Sequence, residues 1–218
     1  RGVAWVLLLL VTLTGSDAFS VEKTNKGPDF FGSVKSALDN LLPPKASVAV
    51  GDSVESQRRE ELKGVLLNEC DNGANRERVE EVISELAPLT PISATARSDR
   101  LQKDWLLRWT TEKEINFFID WKLSDDIVQK IDGPFLGNNI AFRRGGFLGV
   151  EGELSVPDDG GVRTNFKFTK AKIDLAKWGS FDVPPVGEGW FDTIYLDDDL
   201  RVDTNSRDDI LICTPALN

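Results

Sequence analysis

The sequence predicts a mainly β domain, an antiparallel β-barrel or sandwich, preceded by an N-terminal helical hairpin (α+β). Apolar residues recur at helical spacing from Glu55 to Pro88, and from Lys103 onward they alternate with polar residues. Turn signals such as Gly145-Gly146 separate the alternating runs. Seven or eight antiparallel strands in meander order are therefore expected, rather than a βαβ fold.

The two predicted helices are amphipathic and end at recognisable signals. The first covers residues 55–70, with Leu62, Val65 and Leu66 along one stripe, and an Asp-Asn-Gly turn follows it. Asn75 is positioned to cap the second helix, and prolines end it. The apolar face of this second helix consists of Val79, Val82, Ile83 and Leu86. The pair is interpreted as a structural hairpin because its polar faces show no convergent chemistry.

The strand predictions rest on alternation. In DWLLRWT, residues 104–110, Trp105, Leu107 and Trp109 fall on one face. In EINFFIDWK, residues 114–122, four apolar side chains alternate in the same way and predict a second strand; they are Ile115, Phe117, Ile119 and Trp121. Similar runs follow at 148–156, 164–168 and 190–196.

The predicted inward face combines large aromatic residues with Gly149 and Gly152. A barrel of about eight strands is close to the size at which side chains either fill the interior or leave room for one small apolar ligand. The alternation alone is compatible with both a packed core and a ligand cavity.

Composition excludes several classes of function. The 218 residues carry 26 basic and 36 acidic side chains, and the resulting net charge of −10 argues against nucleic-acid binding. The chain has no histidine, which excludes His-dependent catalytic triads and His-ligated metal sites. Cys70 and Cys213 cannot form a CxxC motif, and two separate buried thiols are favoured over one disulfide.

Residues 1–18 have the pattern of a secretory signal. The segment from Val3 to Leu13 is uncharged and apolar but too short to span a bilayer core of ~30 Å. Ser16 and Ala18 occupy the −3 and −1 positions of a small-x-small cleavage site. We expect the translated start to lie upstream of Arg1, since the chain has no methionine. A buried core helix is the alternative.

Residues 19–54 are predicted to be a transit-peptide-like leader and linker. Phe19 after Ser-Asp-Ala resembles the junction of bipartite plastid-targeting leaders in algae with secondary plastids, which implies delivery to such a plastid. Apolar positions between Phe30 and Leu42 repeat at helical spacing. This amphipathic helix is interpreted as part of the presequence or as docked on the domain, with a helix on a lipid surface as the alternative.

Four segments between Glu61 and Cys213 carry a family resemblance. They are ELKGVLLNECDNGANRERVEEVISELAPLTP at 61–91, KDWLLRWTT at 103–111, DIVQKIDGPFLGNNIAF at 126–142 and GWFDTIYLDDDLRVD at 189–203. The last is the most specific, with a Gly-Trp pair before a strand and an Arg just beyond the acidic run. In these segments and their spacing the chain resembles the plastid lipid-associated protein family, also called fibrillins or plastoglobulins.

The resemblance implies a fold and a function. It implies a lipocalin-like antiparallel β-barrel over residues 103–214 after helices at 55–88, within a family domain at 55–218. It also implies association with thylakoids or plastoglobules and binding of carotenoids, quinones or other lipids. Trp105 corresponds to the tryptophan that plugs one end of a lipocalin barrel. Asp197 is the candidate for an aspartate characteristic of the family near the barrel mouth.

The expected binding site is apolar with two polar members. The predicted ligand-binding residues are Leu107, Trp109, Phe117, Trp121, Phe166, Phe168, Asp197 and Arg201. The acidic run over 192–209 could bind Ca²⁺, but its spacing is not that of an EF-hand. A solvated turn in which Asp197 or Asp203 pairs with Arg201 is favoured instead.

The function favoured by the sequence is non-enzymatic binding of an apolar molecule, with no catalytic residue, metal or cofactor. The alternative is a coat or interaction protein of plastid lipid bodies that has a packed barrel and no ligand. An enzyme acting on an apolar substrate would need a cavity-facing carboxylate or tyrosine with a shifted pKa.

Overall fold

In a computed structural model, the structure describes residues 51–185 and 187–217. The signal-like segment, most of the leader and the helix predicted between Phe30 and Leu42 lie outside these residues.

The predicted helical hairpin is confirmed. Helix α1 (Gly51–Asp71) begins earlier than expected, and α2 (Arg76–Leu86) begins at the predicted cap. Oδ1 of Asn75 accepts a hydrogen bond from the backbone N–H of Arg78 at 3.0 Å, which satisfies one of the unpaired amides of the first turn. Among the described residues, no helix has both the length and the apolar character needed to cross a bilayer.

Three short 3₁₀ helices connect the hairpin to the sheet. They are Ala87–Leu89, Thr95–Arg97 and Asp99–Leu101, and a fourth, Ala176–Trp178, lies between two later strands. The nine strands are β1 (Asp104–Thr110), β2 (Ser124–Asp132), β3 (Phe135–Phe142), β4 (Phe147–Ser155), β5 (Arg163–Asp174), β6 (Ser180–Val183), β7 (Glu188–Leu196), β8 (Arg201–Asn205) and β9 (Ile210–Pro215).

The strands form a ring-like antiparallel sheet. Its order is β4-β3-β2-β1-β9-β8-β7-β5-β6, and β4 also pairs with β5, so eight strands close on themselves. Strand β5 is long enough to pair with β7 through its first half and with the short β6 through its second half. We refer to β1–β5 with β7–β9 as the strand ring. The predicted mainly β architecture in near-meander order is confirmed.

The strand predicted over 114–122 is wrong. Residues Lys113–Asp120 form a helix, α3, which connects β1 to β2. The apolar residues of this run fit both the two-residue period of a strand and the 3.6-residue period of a helix. Ile115 and Phe118, for example, are three residues apart, which is the spacing of neighbours on one helix face. Phe118 is 4% exposed and packs with Ile140 and other apolar residues at one end of the ring.

The helical hairpin packs on the outer face of the ring. Buried residues of α1 and α2 form one cluster with outward-facing residues of β7, β8 and β9; the latter include Ile194, Tyr195, Val202, Ile210 and Ile212. Burial of this apolar area fixes the hairpin to the sheet. Cys70 and Cys213 are both free and buried, and burial raises the pKa of each thiol to about 12.

Candidate functional site: the interior of the strand ring

Strand register defines which side chains face the interior. Cross-strand partners lie on the same face of a sheet, and the pairs Trp105↔Gln129, Gln129↔Asn138 and Asn138↔Val150 connect four neighbouring strands. The chain of partners then continues to Ala171 on β5. Since Trp105 is completely buried, the whole series faces inward.

The two ends of the interior are lined by buried apolar clusters. At the Trp105 end, Trp105 packs with Leu101, Ile131, Leu136 and other buried residues, and its indole N–H donates to the Leu101 carbonyl oxygen at 2.9 Å. At the opposite end, which we call the α3 end, Phe118 packs with Ile140, Leu148 and Ile173. Both ends are therefore lined by packed apolar side chains.

The middle of the interior is less completely packed. Several inward-facing side chains there are only half-buried; they are Leu107, Gln129, Asn138, Val150, Leu154, Phe166, Phe168, Ala171 and Leu211. Gly152 also faces inward, opposite Phe168, and contributes no side chain. These inward-facing groups keep some solvent-accessible surface between the two apolar ends.

Three of the predicted wall residues come together in this interior. Leu107, Phe166 and Phe168 pack around the cluster at the Trp105 end. The rings of Phe166 and Phe168 are 5.1 Å apart, a normal distance for a tilted aromatic pair. They form an apolar wall beside the half-buried side chains of the middle.

Trp109 lies on the other side of the sheet. A register shift between Leu107 and Trp109 in the β1–β9 pairing brings Trp109 opposite Ile212, which faces the helices. Trp109 accordingly packs against the helical hairpin rather than beside Leu107. A β-bulge of this kind reverses the alternation on which the prediction of a shared face was based. Gly149, also expected to face inward, pairs with Asn139 and Lys172 on the outer face.

Phe117 lies on α3 and Trp121 directly follows the helix, so both are at the α3 end. Phe117 packs around the Phe118 cluster, whereas Trp121 is 70% exposed. Their rings are 5.8 Å apart and in contact, but they lie outside the middle of the interior.

Arg201 lies in the interior and is almost completely buried. Its guanidinium group lies 5.2 Å from the centre of the Trp105 ring and 5.8 Å from that of Phe191. One nitrogen, Nη2, lies 2.7 Å from Oδ2 of Asp203 and also donates to Oε1 of Gln129. Of the two predicted partners, Asp203 therefore pairs with Arg201, but the pair is buried rather than in a solvated turn.

Asp203 is held in its position by a second strand. Its Oδ1 accepts a hydrogen bond from the Thr193 hydroxyl at 2.7 Å. Burial raises the pKa of the Asp203 carboxyl, while the charge of Arg201 opposes that shift. A buried arginine placed between a carboxylate and an amide positions the donors and acceptors around it.

A pair of amides extends this polar group across β2 and β3. Nε2 of Gln129 donates to Oδ1 of Asn138 at 2.9 Å. Neither residue was predicted from the sequence as part of the site. The available signal was that Gln129 interrupts an apolar alternation between Ile127 and Ile131, at a position that must face inward.

Asp197 is engaged on the outside of the ring, at the Trp105 end. It accepts hydrogen bonds from the Tyr195 hydroxyl at 2.7 Å and from the backbone N–H groups of Asp199 and Leu200, and it pairs with Lys63 of α1. Burial alone would raise the pKa of the Asp197 carboxyl, but these partners together lower it below its ordinary value. Its position connects the hairpin to the turn between β7 and β8.

A group of exposed aromatic and basic side chains lies at the α3 end. The exposed apolar members are Ile119, Trp121, Trp178 and Phe181, and the basic members are Lys122, Arg144 and Lys177. We call these seven residues the aromatic rim. The backbone N–H of Arg143 donates to the Leu123 carbonyl oxygen at 3.0 Å, which joins the β3–β4 turn to the segment after α3.

The β3–β4 turn also lies directly against the β5–β6 connection. A Cβ atom added at Gly146, where φ is +92°, would come within 2.1 Å of the Asp174 carbonyl oxygen. Glycine is therefore required at this close approach. The three segments that carry the aromatic rim are thus neighbours.

Comparison with known proteins identifies the family. A family model described as PAP_fibrillin matches residues 55–214. The chain is also 31% identical over 164 residues to a protein of Arabidopsis thaliana named "Probable plastid-lipid-associated protein 11, chloroplastic", an alignment that covers 69% of this chain and 76% of the relative. No solved structure matches. The chain therefore belongs to the PAP/fibrillin family of plastid lipid-associated proteins.

Proposed function

We propose that the protein is a non-enzymatic plastid protein that binds an apolar isoprenoid or other lipid, such as a carotenoid or quinone, inside the strand ring. The observation that carries the proposal is the half-buried state of inward-facing apolar side chains such as Phe166, Phe168 and Val150. Contact with an apolar ligand would remove this surface from water, worth about 25 cal/mol per Å² before association costs.

The plastid location rests on family membership and on the relative named as chloroplastic. Delivery through a bipartite leader to a secondary plastid rests on the first 54 residues of the sequence. Absence of catalysis is part of the proposal. It is supported by the lack of histidine and by the pairing of the Asp203 carboxylate with Arg201 and Thr193.

A binding experiment tests the ligand proposal. The purified chain is incubated with a carotenoid or an isoprenoid quinone in mild detergent, separated by gel filtration, and examined by absorption and native mass spectrometry. We expect a complex of one ligand per chain. A chain that takes up neither class of molecule would contradict the proposal.

A second aspect of the function is contact with a lipid surface, and we propose that the aromatic rim makes it. Trp121 and Trp178 are 70% and 68% exposed, and three basic side chains lie beside them. Tryptophan and lysine at one edge suit the interface between headgroups and acyl chains. The rest of this acidic protein would be repelled by an anionic surface, so contact would be confined to the rim.

Vesicle flotation tests this contact. We expect the chain lacking residues 1–50 to float with galactolipid vesicles that contain phosphatidylglycerol, and a Trp121→Ser, Trp178→Ser double variant to lose most of this binding. The control is Phe135→Ser, which removes an exposed aromatic residue (37% exposed) from the start of β3 at the Trp105 end. If flotation instead requires residues 19–50 and is unchanged by the rim substitutions, the leader helix makes the contact and the rim proposal is wrong.

A further inference from the structure

We propose that the interior carries a single-oxygen recognition point, the side-chain amide of Asn138, which donates a hydrogen bond to a carbonyl oxygen of the bound ligand. This inference rests on the proposed ligand-binding function and narrows it. The preferred ligand is an apolar molecule that bears a hydrogen-bond acceptor, not a pure hydrocarbon.

The first step is the direction of the hydrogen bonds that begin at Arg201. A guanidinium group can only donate hydrogen bonds. Because Nη2 of Arg201 bonds the amide of Gln129, the atom of Gln129 that it contacts must be the oxygen. The Arg201 side chain is in turn held by Asp203 at 2.7 Å and is 1% exposed, so this starting point is fixed.

The second step carries the same direction across β2 to β3. With its oxygen bonded to Arg201, Gln129 presents its NH₂ group to Asn138 and donates to Oδ1 at 2.9 Å. The Asn138 amide is then oriented with its own NH₂ group pointing away from Gln129. The buried arginine thus determines the orientation of both side-chain amides. Without such a partner the O and N atoms of an amide could be exchanged, because the two atoms are difficult to distinguish.

The third step is that this last donor is unused. Within residues 51–185 and 187–217, Nδ2 of Asn138 has no hydrogen-bond partner. Asn138 faces inward between Gln129 and Val150, and it is half-buried in the middle of the ring. A ligand that fills this space displaces water from the amide and must replace its hydrogen bond, or the donor is left unsatisfied.

The chemistry of the ligand follows from these steps. A ketone or quinone oxygen accepts from Nδ2, and a hydroxyl oxygen can also accept. A hydrocarbon leaves the donor unsatisfied, which lowers its affinity relative to a ligand that bears an oxygen. The apolar wall at Leu107, Phe166 and Phe168 contacts the remainder of the molecule.

Three carotenoids with one carbon skeleton test the inference. β-Carotene is a hydrocarbon, canthaxanthin carries ring ketones, and zeaxanthin carries ring hydroxyls; decyl-plastoquinone is added as a quinone. Binding to the purified chain is measured by titration in mild detergent. We expect canthaxanthin and zeaxanthin to bind about fivefold to tenfold more tightly than β-carotene, the effect of about one hydrogen bond.

Two variants change the polarity of the recognition point. Asn138→Asp replaces the free donor by an acceptor, and Gln129→Glu forces the Asn138 amide to turn its NH₂ group toward the new carboxylate. In each variant we expect the affinity for canthaxanthin to fall to that for β-carotene. The affinity for zeaxanthin should be retained, because its hydroxyl group can donate a hydrogen bond. Asn139→Asp makes the same chemical change on the exposed outer face of the same strand and should alter none of the affinities.

The outcomes separate the two proposals. If none of the four molecules binds the unchanged chain, the proposed ligand-binding function is wrong. If β-carotene and canthaxanthin bind equally tightly, ligand binding stands and the recognition point is wrong. Retention of the canthaxanthin preference in a folded Asn138→Asp or Gln129→Glu variant also overturns the recognition point. Retained zeaxanthin binding in a variant shows that its interior is intact.

Discussion

Nζ of Lys63 on helix α1 lies 2.7 Å from Oδ2 of Asp197 in the turn after β7, and both side chains are almost completely buried. This pair connects the helical hairpin to the strand ring across more than 130 positions of the sequence. Lys63 also contacts Glu60 at 3.1 Å and Asp199 at 3.6 Å, but those carboxylates are largely exposed. The buried contact with Asp197 is therefore the one expected to matter for stability.

Substitution of Asp197 should destabilise the protein strongly. Asp197→Asn leaves the ammonium of Lys63 buried with only the peripheral Glu60 and Asp199, and breaking one side of a buried ion pair costs about 3–5 kcal/mol. We expect a lower midpoint of urea unfolding. Asp199→Asn is the matched control because its carboxylate is 79% exposed, and it should change the free energy of unfolding by less than about 1 kcal/mol. Equal effects of the two substitutions would contradict a special role for Asp197.

The same pair predicts a pH dependence. The pKa of Asp197 is lowered in the folded protein, so the carboxylate contributes stability above its unfolded pKa of about 3.9, and this contribution is lost as the pH falls through the folded pKa. The difference in unfolding free energy between the unchanged chain and Asp197→Asn should be largest near neutral pH. It should shrink progressively below about pH 4. A difference that stays constant from pH 7 to pH 3 would show that ionisation of Asp197 is not its source.

The helices and most strands could be predicted because their signals are local. The capping position of Asn75 and the alternation in β1, β4 and β5 depend on residues close together in sequence. The faces of Trp109 and Tyr195 could not be predicted, because register shifts in β1 and β7 reverse the alternation, and such bulges are set by pairing with distant strands.

The polar part of the site depends on contacts between distant segments. Arg201 bonds Gln129 across 72 positions, and the direction of that hydrogen bond determines the role of Asn138. No local pattern contains this information. The segment over 113–120 could not be assigned for a different reason: its apolar residues fit the period of a strand as well as that of a helix. Only the packing of Phe118 at the α3 end distinguishes the two structures.

Filling the middle of the ring should separate ligand binding from a packed, ligand-free ring. Ala171 faces inward opposite Val150 and is half-buried, so Ala171→Phe would place an aromatic ring in the proposed ligand space. We expect ligand affinity to fall at least about tenfold while the free energy of unfolding changes by less than about 1 kcal/mol. In a fully packed interior the same substitution would cost about 1–3 kcal/mol through overpacking. Lys172→Phe adds the same ring on the exposed outer face and should leave the affinity unchanged.

Trp109 and Leu107 should respond differently to substitution, although the sequence placed them on one face. Trp109 packs with the helical hairpin, so Trp109→Leu should lower the free energy of unfolding by about 1–3 kcal/mol through lost packing and leave ligand affinity unchanged. Leu107→Ala enlarges the interior beside Phe166 and should weaken ligand binding as well as stability. Urea unfolding and ligand titration on both variants measure the two effects. Loss of affinity in Trp109→Leu at a temperature where the variant is fully folded would show that the outer face contributes to the ligand site.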